Sequence, residues 1–598
     1  MNIEKLRKNK VIGNIFLLIL SLFAAIALNV DFQNFTGEYK FIIILCVPVF
    51  FIFFSYIKNK NLRNNPGILI CAVIASFFII VGKCFYLTDS SLMIWGSKLR
   101  LLYFLFSLIG YSAILYSIFL LVFQRIISLD NSRDISSKLE KFFFGKFCLI
   151  KLAGIILLTW LPIIILCYPG GVCADAVGEI WQALGRYNYN IQGMTHALYV
   201  GFFLKIGQSL LGSYNRGLYL SVLVQSIILA LTMSNSLRAM YKRGVNRIYI
   251  LLVLALYCFT PCYSNFATMT IKDTLFDTSV LLFITFYAEM VVGDEGRLSI
   301  KRVTQITLAA LGVMLFRSNG QMIFVFAAVG LLISTLFKKN IKLKEKLPRI
   351  LFYCILPYVL FILVNSFYLN ILKADDMNGK EFLSLPFQQT GRYIRDYAHE
   401  ITDEEWAAID KVLDTNQNLA RAYNPNISDP LKLKFRENAT NSDIAAYLKV
   451  WAKMFFKHPR VYADAYLNMN YGWFDMGVKN SIRYQGGMDI FYPPRWGDNT
   501  EVVNSWYEWL ASNPITAFLD TIGVYVWWMF LLTIRLHQKK EKEKFWVLVF
   551  PMIAVLIACQ LAPCCLLHPR YAFPILFSIP FLTGYLLKSS NQSEKAGK

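Results

Sequence analysis

The feature that most limits the fold of this chain is a series of long apolar stretches separated by short polar loops. The first, from Val11 to Val30, is roughly 20 residues long, which is enough for a helix to cross a bilayer. Of all residues, 56% are hydrophobic and 16% are charged, a balance that an ordinary water-soluble domain does not have. The sequence therefore predicts an all-α, polytopic membrane protein with roughly fourteen transmembrane helices. The predicted spans lie near 11–30, 41–57, 66–87, 101–124, 148–167, 219–239, 247–261, 274–292, 303–316, 321–337, 350–371, 515–535, 545–566 and 571–587.

The position of positive charge predicts the orientation of these spans. The net charge of +22 is concentrated in short loops, including 58–63, 125–146 and 338–349, and in the C-terminal tail. Short basic loops stay on the cytoplasmic side, so the pattern predicts a plasma-membrane protein with both termini in the cytoplasm. It also requires 196–211 to be a surface or half-inserted helix rather than a span. The charge thus reflects orientation in the lipid bilayer, and no nucleic-acid partner is expected.

The spans and one large polar insertion divide the chain into four predicted parts. Residues 1–147 form an N-terminal four-span accessory unit and 148–371 a membrane core. Residues 372–513 form a small, mostly helical extracytoplasmic domain, and 514–598 a C-terminal three-span unit. Within the polar domain, Thr402 to Glu405 is a capping pattern and Ile444 to Phe456 has helical apolar spacing.

Ionisable residues collect at the predicted outer ends of several spans. Such residues are costly at the membrane edge, so a group of them at one depth suggests a functional site. Asp175, in a polar loop that begins with Tyr168-Pro169-Gly170-Gly171, is the candidate catalytic base for removing a proton from an acceptor hydroxyl. Candidate contacts to a donor phosphate are Lys272, Arg317 and Arg570, because cations stabilise charge on a departing phosphate. Candidate supporting residues are Asp273, His196, Asn319 and His568.

Each of these assignments has a structural alternative. Asp175 could serve only as the N-cap of the helix that follows it, and Asp273 could cap its own span. Lys272 could pair only with Asp273, and Arg570 could extend to the interface from the end of its helix. His196 could orient Asp175 or an acceptor hydroxyl. No cofactor is expected to be required, and no tight acidic pair indicates a metal, although Asp175 and Asp273 could share a divalent cation.

The arrangement of a basic-flanked span, an outer loop with Asp175, a surface helix and a second outer loop with Lys272-Asp273 resembles the glycosyltransferase C superfamily. That resemblance implies a multi-pass, inverting transferase with a similar core, a polyprenyl-phosphate-linked sugar as donor, and Asp175 as the catalytic acid of the first outer loop. Motifs such as CADAVGEIWQALG, MTIKDTLF, LFRSNG and HPRYAFPI are also similar to a family of uncharacterised multi-pass envelope proteins of low-GC Gram-positive bacteria. Where such proteins tend to have His-Pro, this chain has His196-Ala197.

The function expected from these residues is transfer of a sugar from a polyprenyl-phosphate donor to a cell-envelope glycan, glycolipid or protein on the outer face of the plasma membrane. One alternative is a polymerase or ligase of lipid-linked saccharides, which would also need outer cations and a large outer loop. The other is a flippase or transporter of lipid-linked saccharides. A transporter should carry ionisable residues near mid-membrane and interrupted helices.

Overall fold

The computed structural model describes residues 10–29, 40–60, 62, 64–128, 135–186, 194–292, 298–337, 343–372, 379–477, 500–540, 542–561 and 569–588. In this part of the chain 84% of residues are helical and no β-strand forms, which confirms the predicted all-α class. The helices, numbered in chain order, are α1 Lys10–Asn29, α2 Lys40–Asn59, α3 Pro66–Thr88, α4 Leu92–Trp95, α5 Lys98–Ser128, α6 Ser137–Phe144, α7 Cys148–Leu166, α8 Ala174–Ala183, α9 Met194–Leu210, α10 Tyr214–Lys242, α11 Arg247–Phe259, α12 Pro261–Thr268, α13 Lys272–Val292, α14 Ile300–Phe316, α15 Asn319–Phe337, α16 Leu343–Ile350, α17 Leu356–Asn370, α18 Ser384–Tyr397, α19 Asp403–Asp410, α20 Leu419–Ala422, α21 Asp429–Lys432, α22 Asn441–Lys457, α23 Pro459–Asn470, α24 Thr500–Ser512, α25 Pro514–Asp520, α26 Ile522–Gln538, α27 Lys542–Leu561 and α28 Phe573–Leu587.

The membrane-spanning character of the chain follows from these helices. In the described residues, ten are long and apolar enough to cross a bilayer, and counting each of two bent pairs as one span raises the number to twelve. The bent pairs are α11 with α12 and α25 with α26. The two other stretches predicted to span also form helices: α14 has 17 residues, and the described apolar part of α2 is Ile44–Asn59. The chain is therefore a polytopic membrane protein.

The centre of the helix bundle is occupied by the last helix of the chain. Every residue of α28 is buried, as expected for a helix that is apolar on all sides. It packs against α13, α26 and α27, and also touches α10 and α11. On the outside of the bundle, large side chains such as Leu158 and Leu363 remain exposed, as lipid-facing residues are.

The helix at 196–211 forms, and it is not among the candidate spans of the described residues. It is α9, and it folds back on α10 as a close antiparallel pair. A Cβ atom on Gly207 would lie 2.3 Å from the Cα of Gly217, so the two backbones approach as closely as glycine allows. The Tyr199 hydroxyl donates to the carbonyl of Ser221 at 2.6 Å. These contacts fix the position of the first turn of α9, which carries His196.

Residues 379–477 include a separate, mostly helical domain with its own core, formed around Phe387, Tyr447 and Tyr462. The predicted capping pattern is confirmed, since Thr402 and Glu405 form a capping box at the start of α19. The predicted helical stretch 444–456 lies within α22.

This domain rests on the N-terminal helices. The Arg392 guanidinium, which is buried, donates to the Oδ1 of Asp89 at 3.0 Å, just past the end of α3. Arg395 and Asn468 also donate to the Asp89 carboxylate. Below them, Tyr471 stacks on Phe85 of α3. The end of α3 that carries Asp89 therefore faces the polar domain, and its start at Pro66 lies at the opposite end of the bundle.

Candidate functional site

The candidate site forms where two loops of the membrane core are joined. The loop before α8 and the loop between α12 and α13 pair through their backbones. The Gly171 N–H donates to the carbonyl of Thr268 at 3.0 Å, and the Thr270 N–H donates to the carbonyl of Gly171 at 2.8 Å. This pairing places the first turn of α8, with Asp175, beside the first turn of α13, with Lys272 and Asp273.

Two residues make this close approach feasible. Gly170 has a φ of +139°, and a Cβ atom there would lie 2.7 Å from the Thr270 hydroxyl oxygen, so only glycine fits. Gln225 of α10 donates from its side-chain amide to the carbonyls of Ala267 at 3.0 Å and Met269 at 2.8 Å. These bonds satisfy backbone groups that would otherwise be buried without partners. The polar loop is thus held by the helix behind it.

Asp175 pairs with Arg570 at the accessible edge of the site. The Nη2 of Arg570 donates to the Oδ2 of Asp175 at 2.6 Å, a charge-assisted hydrogen bond. The Asp175 side chain is 40% exposed, whereas that of Arg570 is 14% exposed. Asp175 is the second residue of α8, and Cys173 is the N-cap residue, so the alternative that Asp175 is the N-cap is wrong.

Asp273 lies deeper, between two guanidinium groups. It forms an ion pair with Arg317, and its Oδ2 lies 3.9 Å from the Nε of Arg570. Its side chain is 1% exposed. Arg317 is also held over the ring of Tyr571, with its guanidinium carbon 4.1 Å from the ring centre. Arg570 thus touches both aspartates.

A third carboxylate, Glu179, completes the cluster. Its Oε1 lies 3.2 Å from the Nζ of Lys272, and its Oε2 lies 2.6 Å from the Nδ1 of His196. All three side chains are buried. Lys272 therefore faces Glu179, so the alternative that it pairs only with Asp273 is wrong. His196, which could orient Asp175 or an acceptor hydroxyl, contacts Glu179, four residues after Asp175 on the same helix.

The cluster holds equal numbers of carboxylates and permanent cations. Burial alone would raise the pKa of Glu179, but Lys272 and His196 outweigh burial and hold that pKa below its ordinary value. Glu179 is therefore ionised at neutral pH. Three carboxylates then face three permanent cations, and we call these six residues with His196 the charged cluster: Asp175, Glu179, His196, Lys272, Asp273, Arg317 and Arg570.

Of the two remaining predicted supporting residues, the structure describes only Asn319, which takes no part in the contacts given above. Asn319 is the first residue of α15, and its side-chain oxygen has no hydrogen-bond partner in the part of the chain that the structure describes. His568 lies outside the described residues. In those residues, no three His, Cys, Asp or Glu side chains are grouped as metal ligands would be. The partners given above for the three carboxylates are His196, Lys272, Arg317 and Arg570.

Glu179 is the residue that sequence reasoning missed. It follows Asp175 by four residues, and residues spaced by four share one face of a helix. That spacing, on a helix predicted to lie at the membrane surface, was the available signal. The aromatic partner Tyr571, directly after Arg570, was not singled out either.

Comparison with protein families places most of this site in one family. The model of a family of unknown function, DUF6020, matches residues 180–598. The chain belongs to this family. The DUF6020 match includes five members of the charged cluster, from His196 to Arg570, and begins one residue after Glu179. No curated protein and no solved structure matches the chain.

Proposed function

We propose that the protein is a membrane glycosyltransferase that moves a sugar from a polyprenyl-phosphate donor to a cell-envelope acceptor. The observation that carries this proposal is the contrast among the three carboxylates. Asp175 is 40% exposed at the edge of the charged cluster, whereas Glu179 and Asp273 are 6% and 1% exposed. A base must reach the hydroxyl that it deprotonates, so Asp175 is the acid placed for that role.

In the proposed reaction, the exposed members of the charged cluster contact the substrates and the buried members support them. The acceptor oxygen bonds to the anomeric carbon while its proton passes to Asp175. The bond between that carbon and the phosphate oxygen breaks, and the electron pair leaves with the phosphate. Arg570, the more exposed of the arginines, contacts that phosphate, and its planar guanidinium suits two phosphate oxygens at once. Arg317 and Lys272 add positive charge behind it and hold Asp273 and Glu179 in place.

The orientation that we propose puts this site on the outer face of the plasma membrane and both termini in the cytoplasm. Apart from Glu179 in the middle of α8, the members of the charged cluster lie at or beside one end of a helix. Basic residues lie at the other ends, for example Lys301 and Arg302 at the start of α14, the helix that ends before Arg317. That asymmetry is the one that the positive-inside rule describes. Counting α2 and α14 with the twelve candidate spans gives the fourteen crossings that this orientation needs.

The test is the composition of envelope glycans in cells that carry wild-type protein, Asp175→Asn, or no protein. Asparagine keeps the shape of the side chain but cannot accept the proton. We expect Asp175→Asn to lose the same sugar modification as the deletion. Asp403→Asn is the matched control, because Asp403 is an exposed acid in the polar domain and should leave the modification intact. Glycans that change in the deletion and not in Asp175→Asn would remove Asp175 from the reaction.

A lipid-linked-saccharide transporter is the second candidate, and two broken helices favour it. The pairs α11 with α12 and α25 with α26 bend by 51° and 62°, and they meet where the Cys262 N–H donates to the Oδ1 of Asp520 at 3.1 Å. Asp277, fully buried in α13, has no hydrogen-bond partner for either oxygen in the described residues. Interrupted helices and buried carboxyl groups are features of ion-coupled transporters. If Asp520→Asn abolished the glycan modification while Asp175→Asn preserved it, this candidate would replace the transferase.

A further inference from the structure

A cavity of about 530 Å³ opens at the end of the bundle opposite to the polar domain. It lies between the start of α3, the last turns of α5 and the end of α26. Its size falls in the range of small-molecule sites. The charged cluster is formed by other helices, so this cavity is a separate feature of the fold.

The lining of this cavity is suited to an anion. It includes the guanidinium of Arg535 and the amide groups of Asn65, Gln124 and Gln538, and among the described residues no acidic side chain contributes to it. Amides and guanidinium groups supply N–H donors, which is what phosphate oxygens accept. Leu120 and Phe123 form an apolar wall beside these donors. The cavity thus combines a cationic polar part with a surface on which a hydrocarbon chain can pack.

Asn65 supplies a donor that is already fixed in place. Its side-chain oxygen accepts the Gly67 N–H at 3.0 Å and caps α3, which sets the orientation of the amide. Its Nδ2 is then buried with no hydrogen-bond partner in the described residues, and the whole residue is 7% exposed. A buried donor without a partner costs free energy that a bound acceptor would recover. Because Asn65 is the N-cap of a 23-residue helix, the positive end of the helix dipole also faces this position.

We propose that this cavity binds a phosphate ester, with the phosphate between Arg535 and Asn65. Because the apolar wall suits acyl chains, the phosphate ester that fits best is the head group of an anionic phospholipid. Its acyl chains would lie along Leu120 and Phe123. Anionic head groups occupy basic pockets between transmembrane helices on the cytoplasmic side, which is the side of this cavity in the proposed orientation. The site is independent of the proposed transferase reaction, because none of its lining residues belongs to the charged cluster.

The experiment is thermal unfolding of the purified full chain in detergent, followed by tryptophan fluorescence, at rising concentrations of added ligand. Three ligands are compared: phosphatidylglycerol, phosphatidylcholine and soluble glycerol phosphate. A ligand that binds only the folded protein raises the midpoint as it saturates the site. We expect phosphatidylglycerol to raise the midpoint at lower concentration than phosphatidylcholine. A response to glycerol phosphate at comparable concentration would assign the site to a soluble phosphate ester instead of a lipid.

Three variants make the test specific. Arg535→Gln removes the charge-assisted hydrogen bond, so we expect the apparent affinity for the effective ligand to fall about tenfold or more. Gln124→Glu, at an exposed position of α5, places a negative charge at the cavity and should also weaken binding. Lys301→Gln is the control, because it removes one exposed positive charge from the start of α14, outside the cavity. Equal weakening by Arg535→Gln and Lys301→Gln, or no midpoint shift with any ligand, would overturn the proposal.

Discussion

The contact between Glu179 and Lys272 gives the most direct test of the charged cluster. Both side chains are buried, and the Oε1 of Glu179 lies 3.2 Å from the Nζ of Lys272. Lys272→Met removes the cation, fills a similar volume, and leaves Glu179 with His196 as its remaining partner in the cluster. Breaking a buried ion pair from one side costs about 3–5 kcal/mol, because the other charge stays buried. With His196 still 2.6 Å from Glu179, we expect the lower end of that range.

A double-mutant cycle separates the free energy of the contact between Glu179 and Lys272 from other effects of the substitutions. Glu179→Gln should cost a similar free energy of unfolding, because it removes the carboxylate charge beside the buried Lys272. The double variant should cost less than the sum of the two single variants, by roughly 0.5–3 kcal/mol. The free energy of unfolding would be measured in detergent by tryptophan fluorescence, with exposed Lys301→Met as control, expected within about 0.5 kcal/mol of wild type. Strictly additive costs would refute the contact.

The same pair sets a pH dependence with a definite sign. The pKa of Glu179 is lowered in the folded state, because Lys272 and His196 outweigh burial. The stability that this carboxylate contributes is therefore present above the pKa of an unfolded glutamate, about 4.3, and is lost as pH falls through the folded value. In Lys272→Met the burial effect is less opposed, so the loss should begin at higher pH than in wild type.

Two further predictions concern the placement of the polar domain and the orientation in the membrane. Asp89→Ala should speed limited proteolysis of the polar domain, because Arg392 and Arg395 both lose a carboxylate partner, a loss of roughly 1–3 kcal/mol; an unchanged rate would contradict the docking contact. Cysteines introduced in place of Ser318 and Lys301, exposed residues at opposite ends of α14, should react differently with an impermeant thiol reagent applied to whole cells. Labelling at 318 alone is expected, and labelling at 301 alone would invert the orientation.

The fold could be predicted from the sequence to a large extent because bilayer constraints are simple. Length and apolar content decide which stretches can span, and a helix forms at each predicted stretch. The central position of α28 could not be foreseen. Its sequence is as apolar as that of lipid-facing helices, and only the contacts of Phe573–Leu587 with α13 and α26 place it inside.

The composition of the charged cluster was partly predictable for a related reason. Ionisable residues at span ends stand out in an apolar sequence. This signal indicates five members of the charged cluster: Asp175, Lys272, Asp273, Arg317 and Arg570. Their pairing depends on how loops meet, and hydropathy contains no information about that. The backbone pairing of Gly171 with Thr268 and Thr270 decides which carboxylate faces which cation. Lys272 consequently contacts Glu179 on another helix, rather than the adjacent Asp273.

Under the proposed function, the position of Arg570 implies an order of substrate binding. Its Nη2 donates to the Oδ2 of Asp175 at 2.6 Å, and its Nε lies 3.9 Å from Asp273. A donor phosphate that accepts a hydrogen bond from this Nη2 must displace the Asp175 oxygen. That oxygen then becomes available to an acceptor hydroxyl. The phosphate therefore enters by exchange with Asp175 at Arg570. Donor should therefore bind before acceptor, and initial-rate kinetics with both substrates varied and product inhibition should show an ordered pattern. A random-order pattern would contradict this coupling between Arg570 and Asp175.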